Sequence, residues 1–329
     1  MAGIHLEKRR TSGLLDFTRR SWQFISLVSG SNRTSSGFLA YAVLAAACFG
    51  TLAILASLAY ERGATPLQLL TWRFALAALL LASYMAITRP GKLVAPVGDI
   101  GRYAVISLAG YGAASICFFF ALTHADVAVV AIILYTYPAM VVIAERLFFK
   151  VPLTNGRAWA VGLTFAGCVF VVGPASGQME ASAVGVLLAF GAAAGYALFT
   201  LVSHRWLPGR PRTTLMVHLF AFTAILCGVA AWITSTPLTA KEWDTVTWAL
   251  LGAIVLLPTF AAILLYLKAL RGLGASRAAI VSTFEPVFTV ALAALVLGER
   301  LTLTQLLGAM LILGGIVVAE KFPPEPAIV

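Results

Sequence analysis

Charge is what this chain has least of. Only 11% of its 329 residues are charged while 60% are hydrophobic, too little polar surface to clothe a water-soluble fold of this size. A mean hydropathy of +0.94 points the same way, to a chain that threads a membrane several times. Acidic residues are scarcer than basic ones, 13 against 23, which leaves a net charge of +10. The bases gather in alternate short loops, the distribution that encodes membrane topology, so no nucleic-acid partner is expected. Cysteine is rare too. Cys48, Cys117, Cys168 and Cys227 all fall inside apolar runs with no C-x-x-C pair, which suits small packing residues and indicates neither a disulfide framework nor a zinc site. Missing as well are the G-x-x-x-x-G-K-[ST] phosphate loop and the G-x-S-x-G and H-E-x-x-H signatures. ATP hydrolysis by a phosphate loop and the usual intramembrane hydrolases are therefore not expected, nor is any cofactor or metal.

What the chain does have is ten apolar segments. They run from Phe38 to Leu58, Leu67 to Ile87, Tyr103 to Leu122, Val127 to Phe148, Ala158 to Val172, Ala183 to Val202, Leu215 to Ile233, Val246 to Leu267, Ala278 to Leu297 and Thr304 to Val318. A bilayer core of ~30 Å needs ~20 helical residues, so each is a candidate span, the fifth and tenth being shortest. With the N-terminus in the cytoplasm, the inner connections hold Arg89, Lys92, Arg102, Arg146, Lys150, Arg157, Arg205, Arg210, Arg212, Lys268, Arg271 and Arg277. The outer connections hold only Arg62, Lys241 and Arg300, an asymmetry that puts both termini on the cytoplasmic side of the cytoplasmic (inner) membrane. Ahead of the first span, residues 1–37 mix Lys8-Arg9-Arg10, Arg19-Arg20 and Arg33 with Leu, Phe and Trp, and lack the apolar core and cleavage site of a signal peptide. They read either as an interfacial helix on an anionic leaflet or as a disordered basic tail.

An internal repeat emerges when Pro138 is set on Pro286, a displacement of 148 residues. Ala121-Leu122 then falls on Ala269-Leu270, Ala131-Ile132 on Ala279-Ile280, Leu153-Thr154 on Leu301-Thr302, and Gly167 on Gly315. Gly110 falls on Pro258, so each half weakens a helix at the same place. Two halves of five spans must insert upside down relative to each other, 38–174 against 175–320, with 321–329 as a cytoplasmic tail. Inverted repeats with interrupted helices place a transport site near the midplane between the halves.

The ninth segment carries the sharpest signal. Its centre reads Phe284-Glu285-Pro286-Val287-Phe288, a carboxylate beside a residue that cannot donate to the carbonyl of Ser282. Irregular backbone at membrane depth survives only inside protein or against a wet cavity, and a charge there is functional by default. Glu285 lies eight residues beyond Arg277, so it should sit ~12 Å inside the membrane. Desolvation there works against the charged form, so either a proton or a substrate ammonium is expected to meet it during the cycle; the alternative is a neutral glutamic acid capping the loosened turn.

Around it, the polar residues at mid-depth are Tyr111, Ser115, Tyr135, Thr136, Tyr137, Tyr196, Thr200, Thr259, Ser282 and Thr283. Of these, Tyr111, Ser115, Tyr135, Tyr137, Tyr196, Thr200, Thr259 and Ser282, with Glu285, are the candidate substrate-binding set, and Pro138, Pro258 and Pro286 the helix breaks. Tyr137 falls on Glu285 under the displacement, so each half offers a polar group just before its central proline. At most half of the aromatic rings near mid-depth, including Phe118-Phe119-Phe120, are expected on the path, since three consecutive rings cannot share one helix face. Gly191-x-x-x-Gly195, Gly308 and Gly314-Gly315 suit close helix contact. Arg73 reads as an anchor near the outer end of its span, Glu145 and Arg146 as an ion pair at an inner end, and Glu299 as a loop-end partner of Arg300. On that reading no midspan cation is available to meet an anionic substrate.

The motif Glu285-Pro286-Val287-Phe288, then Leu297-Gly298-Glu299-Arg300-Leu301-Thr302 and Leu307-Gly308-Ala309, with Trp72-Arg73-Phe74 opening the second span, resembles EamA-type proteins of the drug/metabolite transporter superfamily. The resemblance spans residues 38–320 and implies an all-α membrane fold of ten helices in two inverted five-helix repeats around a central cavity. It also implies a secondary transporter working by alternating access between the bilayer's two sides, most simply an exporter of neutral or aromatic amino acids. A lipophilic cation is the alternative cargo. A proton is one coupling ion left open. A channel would want a ring of charges, and an embedded enzyme would want a nucleophile with its base; neither pattern is present.

Overall fold

The computed structural model describes residues 33–121, 124–125, 127–172, 182–296 and 302–322. The basic segment before Arg33, the Gly298-Glu299-Arg300 pattern and most of the tail lie outside the described residues. The described fold is all-helical. In chain order its helices are α1 (Arg33–Tyr60), α2 (Pro66–Thr88), α3 (Val97–Ala121), α4 (Val127–Leu134), α5 (Tyr137–Phe149), α6 (Asn155–Val172), α7 (Ala183–Trp206), α8 (Arg212–Ile233), α9 (Thr245–Leu273), α10 (Ala275–Ser282), α11 (Glu285–Val296) and α12 (Leu303–Lys321).

Among the described residues nine helical stretches are long and apolar enough to cross a bilayer, α4 and α5 counting together as one over Val129–Phe149, and the shortest are α6 and α12. The ninth apolar segment of the sequence differs from expectation: it is two helices of 8 and 12 residues, α10 and α11, rather than one span-length helix. The cause is local. Pro286 has no N–H for Ser282, and the chain turns at Thr283 and Phe284 before helix resumes at Glu285. The same two-residue turn, at Tyr135 and Thr136, separates α4 from α5, and 283 minus 135 is again 148. In both turns a threonine hydroxyl bonds back three residues, Thr136 Oγ1 to Ile133 O at 2.6 Å and Thr283 Oγ1 to Ile280 O at 2.5 Å. The same two carbonyls also accept the backbone N–H of that threonine, so each turn is closed by a pair of bonds to one oxygen.

A gentler irregularity marks α3 and α9, which widen into π-helical turns over Val105–Gly112 and Val255–Ala261. Pro258 sits inside the second of these without breaking the helix; Thr259 Oγ1 donates to Ile254 O at 2.7 Å, the carbonyl that Pro258 leaves short.

Helix starts are capped where the chain turns back into the bundle. Thr65 and Gln68 form a capping box ahead of α2, Thr302 and Gln305 another ahead of α12, while Ser182 and Asp244 cap α7 and α9. All four lie at one end of the bundle, where Arg62 meets Asp244 at 2.7 Å and Ser182 N–H donates to His124 O. At the opposite end Thr214 Oγ1 donates to Lys92 O, and Glu145, Arg157 and Ser276 meet.

Packing repeats across the two halves. Helix α2 lies on α8 and α6 on α12; α3, α4 and α5 lie against α7, just as α9, α10 and α11 lie against α1. Small residues permit these contacts. A Cβ on Gly167 would stand 2.6 Å from Gly308 O and one on Gly315 2.8 Å from Ala160 O, while one on Gly195 would meet Gly110 O at 2.9 Å. Around the outside, Leu79, Ile87, Phe148, Leu187, Trp232 and Met310 expose large apolar side chains, a surface suited to lipid.

Candidate functional site

The broken helices and the π-turn of α3 border one cavity of about 450 Å³ with a mainly apolar wall. Eight of the nine residues expected at a site lie in that wall. Tyr111 and Ser115 come from α3, Tyr135 and Tyr137 from the first helix break, Tyr196 and Thr200 from α7, and Ser282 and Glu285 from the second break. Thr259, expected among them, is instead fully buried outside the wall, accepting from Arg73 and donating to Ile254 O.

Each side chain is placed by the backbone irregularity beneath it. Glu285 is the first residue of α11, where the helix dipole favours negative charge, and its carboxylate takes no hydrogen bond from any described residue. Gly50 of α1 brings that turn close: a Cβ there would stand 3.1 Å from both Glu285 O and Phe288 Cβ. Tyr137 opens α5 and its hydroxyl donates to Ala279 O at 3.1 Å, tying α5 to α10 below the cavity. Tyr111 leaves the widened stretch of α3, which Gly110 allows to approach Phe199 of α7, where a Cβ would meet Phe199 Cα at 3.1 Å. The Tyr111 ring then lies edge-on to Tyr196 at 5.6 Å and to Phe199 at 5.3 Å. Thr200 Oγ1 and the Tyr266 hydroxyl share a hydrogen bond of 2.7 Å, and Ser115 and Ser282 each donate to the carbonyl one turn back.

Arg73 overturns an expectation. It is not an interfacial anchor: it is 3% exposed, lines the cavity, and brings to the membrane interior the cation that the sequence was read as lacking. Its Nε donates to Thr259 Oγ1 at 2.7 Å, its Nη2 donates to the Tyr111 hydroxyl at 3.2 Å, and its guanidinium carbon lies 4.7 Å from the Phe74 ring centroid. Among the described residues no carboxylate pairs with it. The signal in the sequence was the position of Arg73 two turns into an apolar helix, with nothing to show which way it faced.

Two further readings change. Glu145 pairs not with its neighbour Arg146 but with Arg157 of α6, both side chains buried, and Ser276 of α10 donates to the same carboxylate oxygen. More of the rings reach the wall than expected: Phe118, Phe119, Tyr135, Tyr137, Tyr196, Phe199 and Tyr266 all do, and the neighbours Phe118 and Phe119 do so together. The wall runs from Tyr60 and Pro66, beside the 61–65 turn, to Ser282 and Tyr266 at mid-depth. Beyond that depth the opposite end is held by the Arg157, Glu145 and Ser276 cluster and by Arg277 with Glu320.

Comparison with known proteins agrees with this architecture. The family model described as the EamA-like transporter family matches twice, over residues 37–173 and 183–320. An uncharacterized transporter of Bacillus subtilis (strain 168), YwfM, is 29% identical over 288 residues, covering 86% of this chain and 93% of that one. A second from the same organism, the uncharacterized transporter YcbK, is 26% identical over 284 residues, 82% of this chain and 88% of its own length. A solved crystal structure, described only as that of a protein, shares the fold with a TM-score of 0.74 at 19% identity, over 88% of this chain and 97% of that chain.

Proposed function

The chain belongs to the EamA-like transporter family, and from that premise we propose that it is a secondary carrier exporting a neutral or aromatic amino acid across the cytoplasmic membrane by alternating access. In this reading α10 and α11 together form a tenth, interrupted span, and the two halves are inverted repeats. The matched turns at Tyr135 and Thr283, the matched π-turns and the reciprocal packing of α1 and α7 support it. So does the family model's double match.

The observation that carries the reading is the cavity. Its polar groups come from both halves, converge at the two helix breaks, and sit among aromatic rings in a volume suited to a small solute. In this conformation the cavity is closed toward the end holding Glu145 and Arg157 and extends toward the 61–65 turn. With the base-rich loops in the cytoplasm, that is the outward-facing state. The cycle then consists of parting the inner contacts while the walls near Tyr60 close, and no chemical step on the solute is needed.

Counterflow tests the proposal. Proteoliposomes holding the purified chain and preloaded with a neutral or aromatic amino acid should take up the labelled solute several times faster than empty ones. Uptake that ignores preloading would mean a pore.

A further inference from the structure

Among the charged groups that face the cavity, two have no countercharge within reach: Arg73 and Glu285. They belong to different halves and line the same cavity, with Tyr111, which accepts from Arg73, and Tyr196, edge-on to Tyr111, in the wall beside them. A guanidinium removed from water without a counter-anion is costly unless an anion arrives to meet it. Arg73 is moreover held still. Thr259 fixes Nε and Tyr111 fixes Nη2, while Nη1 donates to no described residue. A fork oriented from behind with one arm left over is preorganised for a carboxylate. Glu285, at the first turn of α11 with its own carboxylate unpaired, faces the same space and suits an ammonium group.

We propose that Arg73 receives the carboxylate and Glu285 the ammonium of one zwitterionic substrate, so that the cargo must carry both charges. This deepens the carrier reading and rests on it for the identity of the site. It also disposes of the alternative cargo, because a lipophilic cation would satisfy Glu285 while facing an unneutralised guanidinium across the cavity. The displacement of 148 residues puts Ala221 where Arg73 stands in the first half, and Tyr137 where Glu285 stands in the second. The two charges therefore have no duplicates, and a zwitterion lies across the repeat boundary with a single polarity.

The test is direct binding to the purified full chain, using L-phenylalanine, phenethylamine, which lacks the carboxylate, and 3-phenylpropionate, which lacks the ammonium. The wild type should bind phenylalanine at least about tenfold more tightly than either analogue, a factor modest for a charged hydrogen bond to a buried partner. Arg73→Gln should bring phenylalanine down to the level of phenethylamine, Glu285→Gln to the level of 3-phenylpropionate, and Arg73→Lys should fall between wild type and Arg73→Gln. Thr259→Val keeps the guanidinium charge but frees Nε, so its loss should be smaller and confined to the two carboxylate-bearing ligands. That variant decides the matter if Arg73→Gln fails to fold. A wild type that binds none of the three, or binds phenethylamine as well as phenylalanine, overturns the proposal. So does a wild-type ratio in Arg73→Gln or, should that fail to fold, in Thr259→Val. Phenylalanine counterflow that persists in Arg73→Gln with the wild-type ratio would overturn the clamp and leave the carrier standing. Tight zwitterion-selective binding without counterflow would uphold the clamp and remove the carrier.

Discussion

Glu285 stands at the head of α11 with one side toward the cavity, and its carboxyl group takes no hydrogen bond from a described residue. Replacement by glutamine keeps the shape and removes the charge. Glu285→Gln should therefore slow counterflow by at least about tenfold, equivalent to ~1.4 kcal/mol on the barrier, and flatten its dependence on pH. A wild-type rate and an unaltered pH profile would remove the residue from the mechanism. Asp244, outside the membrane, serves as the contrast. Hydrogen bonds from the Thr247 hydroxyl and backbone N–H, and then the Arg62 charge, hold its carboxyl below the usual carboxylate range. A depressed acid contributes stability that is complete above its unfolded value of ~3.9 and is lost as pH falls through the lowered one. The melting temperatures of wild type and Asp244→Asn should thus differ by a constant amount from roughly pH 8 to pH 5, and the gap should shrink only below about pH 4. Melting curves across that range check it. At this scale the sequence was readable where a residue was odd for its depth. Glu285 and Tyr137 stood out beside prolines at a fixed spacing, but Arg73 looked like many cations near a span end. These helices are apolar on all sides, so no periodicity tells which face turns inward, and the rotation that aims Arg73 at Thr259 is set by packing. The partner of Glu145 was hidden for a similar reason, since Arg157 is distant along the chain and adjacent only after α5 and α6 fold together.

The elements divide into those that bend and those that hold. The helix breaks were legible because proline acts through local backbone chemistry, and both fall where the sequence put them. The π-turns were legible only as weakness at Gly110 and Pro258; the choice of widening over breaking depends on neighbours such as Thr259 and Phe199. Where α5, α6 and α10 meet, the holding elements are polar. Arg157 is 2% exposed and Glu145 7%, so removing the carboxylate strands a buried guanidinium. Glu145→Ala should cost about 3 to 5 kcal/mol, well beyond a surface substitution. A melting temperature within a degree or two of wild type would show that the cluster carries no load. Because Ser276 belongs to α10 and Glu145 to α5, the same cluster also fastens the two halves together at its end of the bundle.

For the whole molecule, the reciprocal contacts define what can move against what. Helices α3, α4 and α5 of the first half take α7 as their partner, and α9, α10 and α11 of the second half take α1, so each bundle borrows one helix from the other half. The contacts of α6 with α12 are reciprocal in detail. Gly167 meets Gly308 and Gly315 meets Ala160, pairs that exchange when 148 is added to one member and subtracted from the other. A joint of that kind presents the same surface to either partner and suits a pivot. The cavity lies between the bundles, with Tyr111, Tyr137 and Tyr196 on one side and Glu285 and Tyr266 on the other. Below it, Tyr137 to Ala279 and Glu145 to Ser276 hold the bundles closed; above it, Phe118 and Phe119 of α3 face the space that Leu52 and Ala56 of α1 border. If the bundles rock as bodies, opening the lower contacts must bring the upper walls together. In a background free of Cys48, Cys117, Cys168 and Cys227, a long cleavable thiol bridge between Ala56→Cys and Phe119→Cys holds the mouth apart and should abolish counterflow. Cleaving the bridge should restore it. Undiminished exchange with the bridge in place would mean that these walls never close, and that solute passes by a route other than rocking of the two bundles.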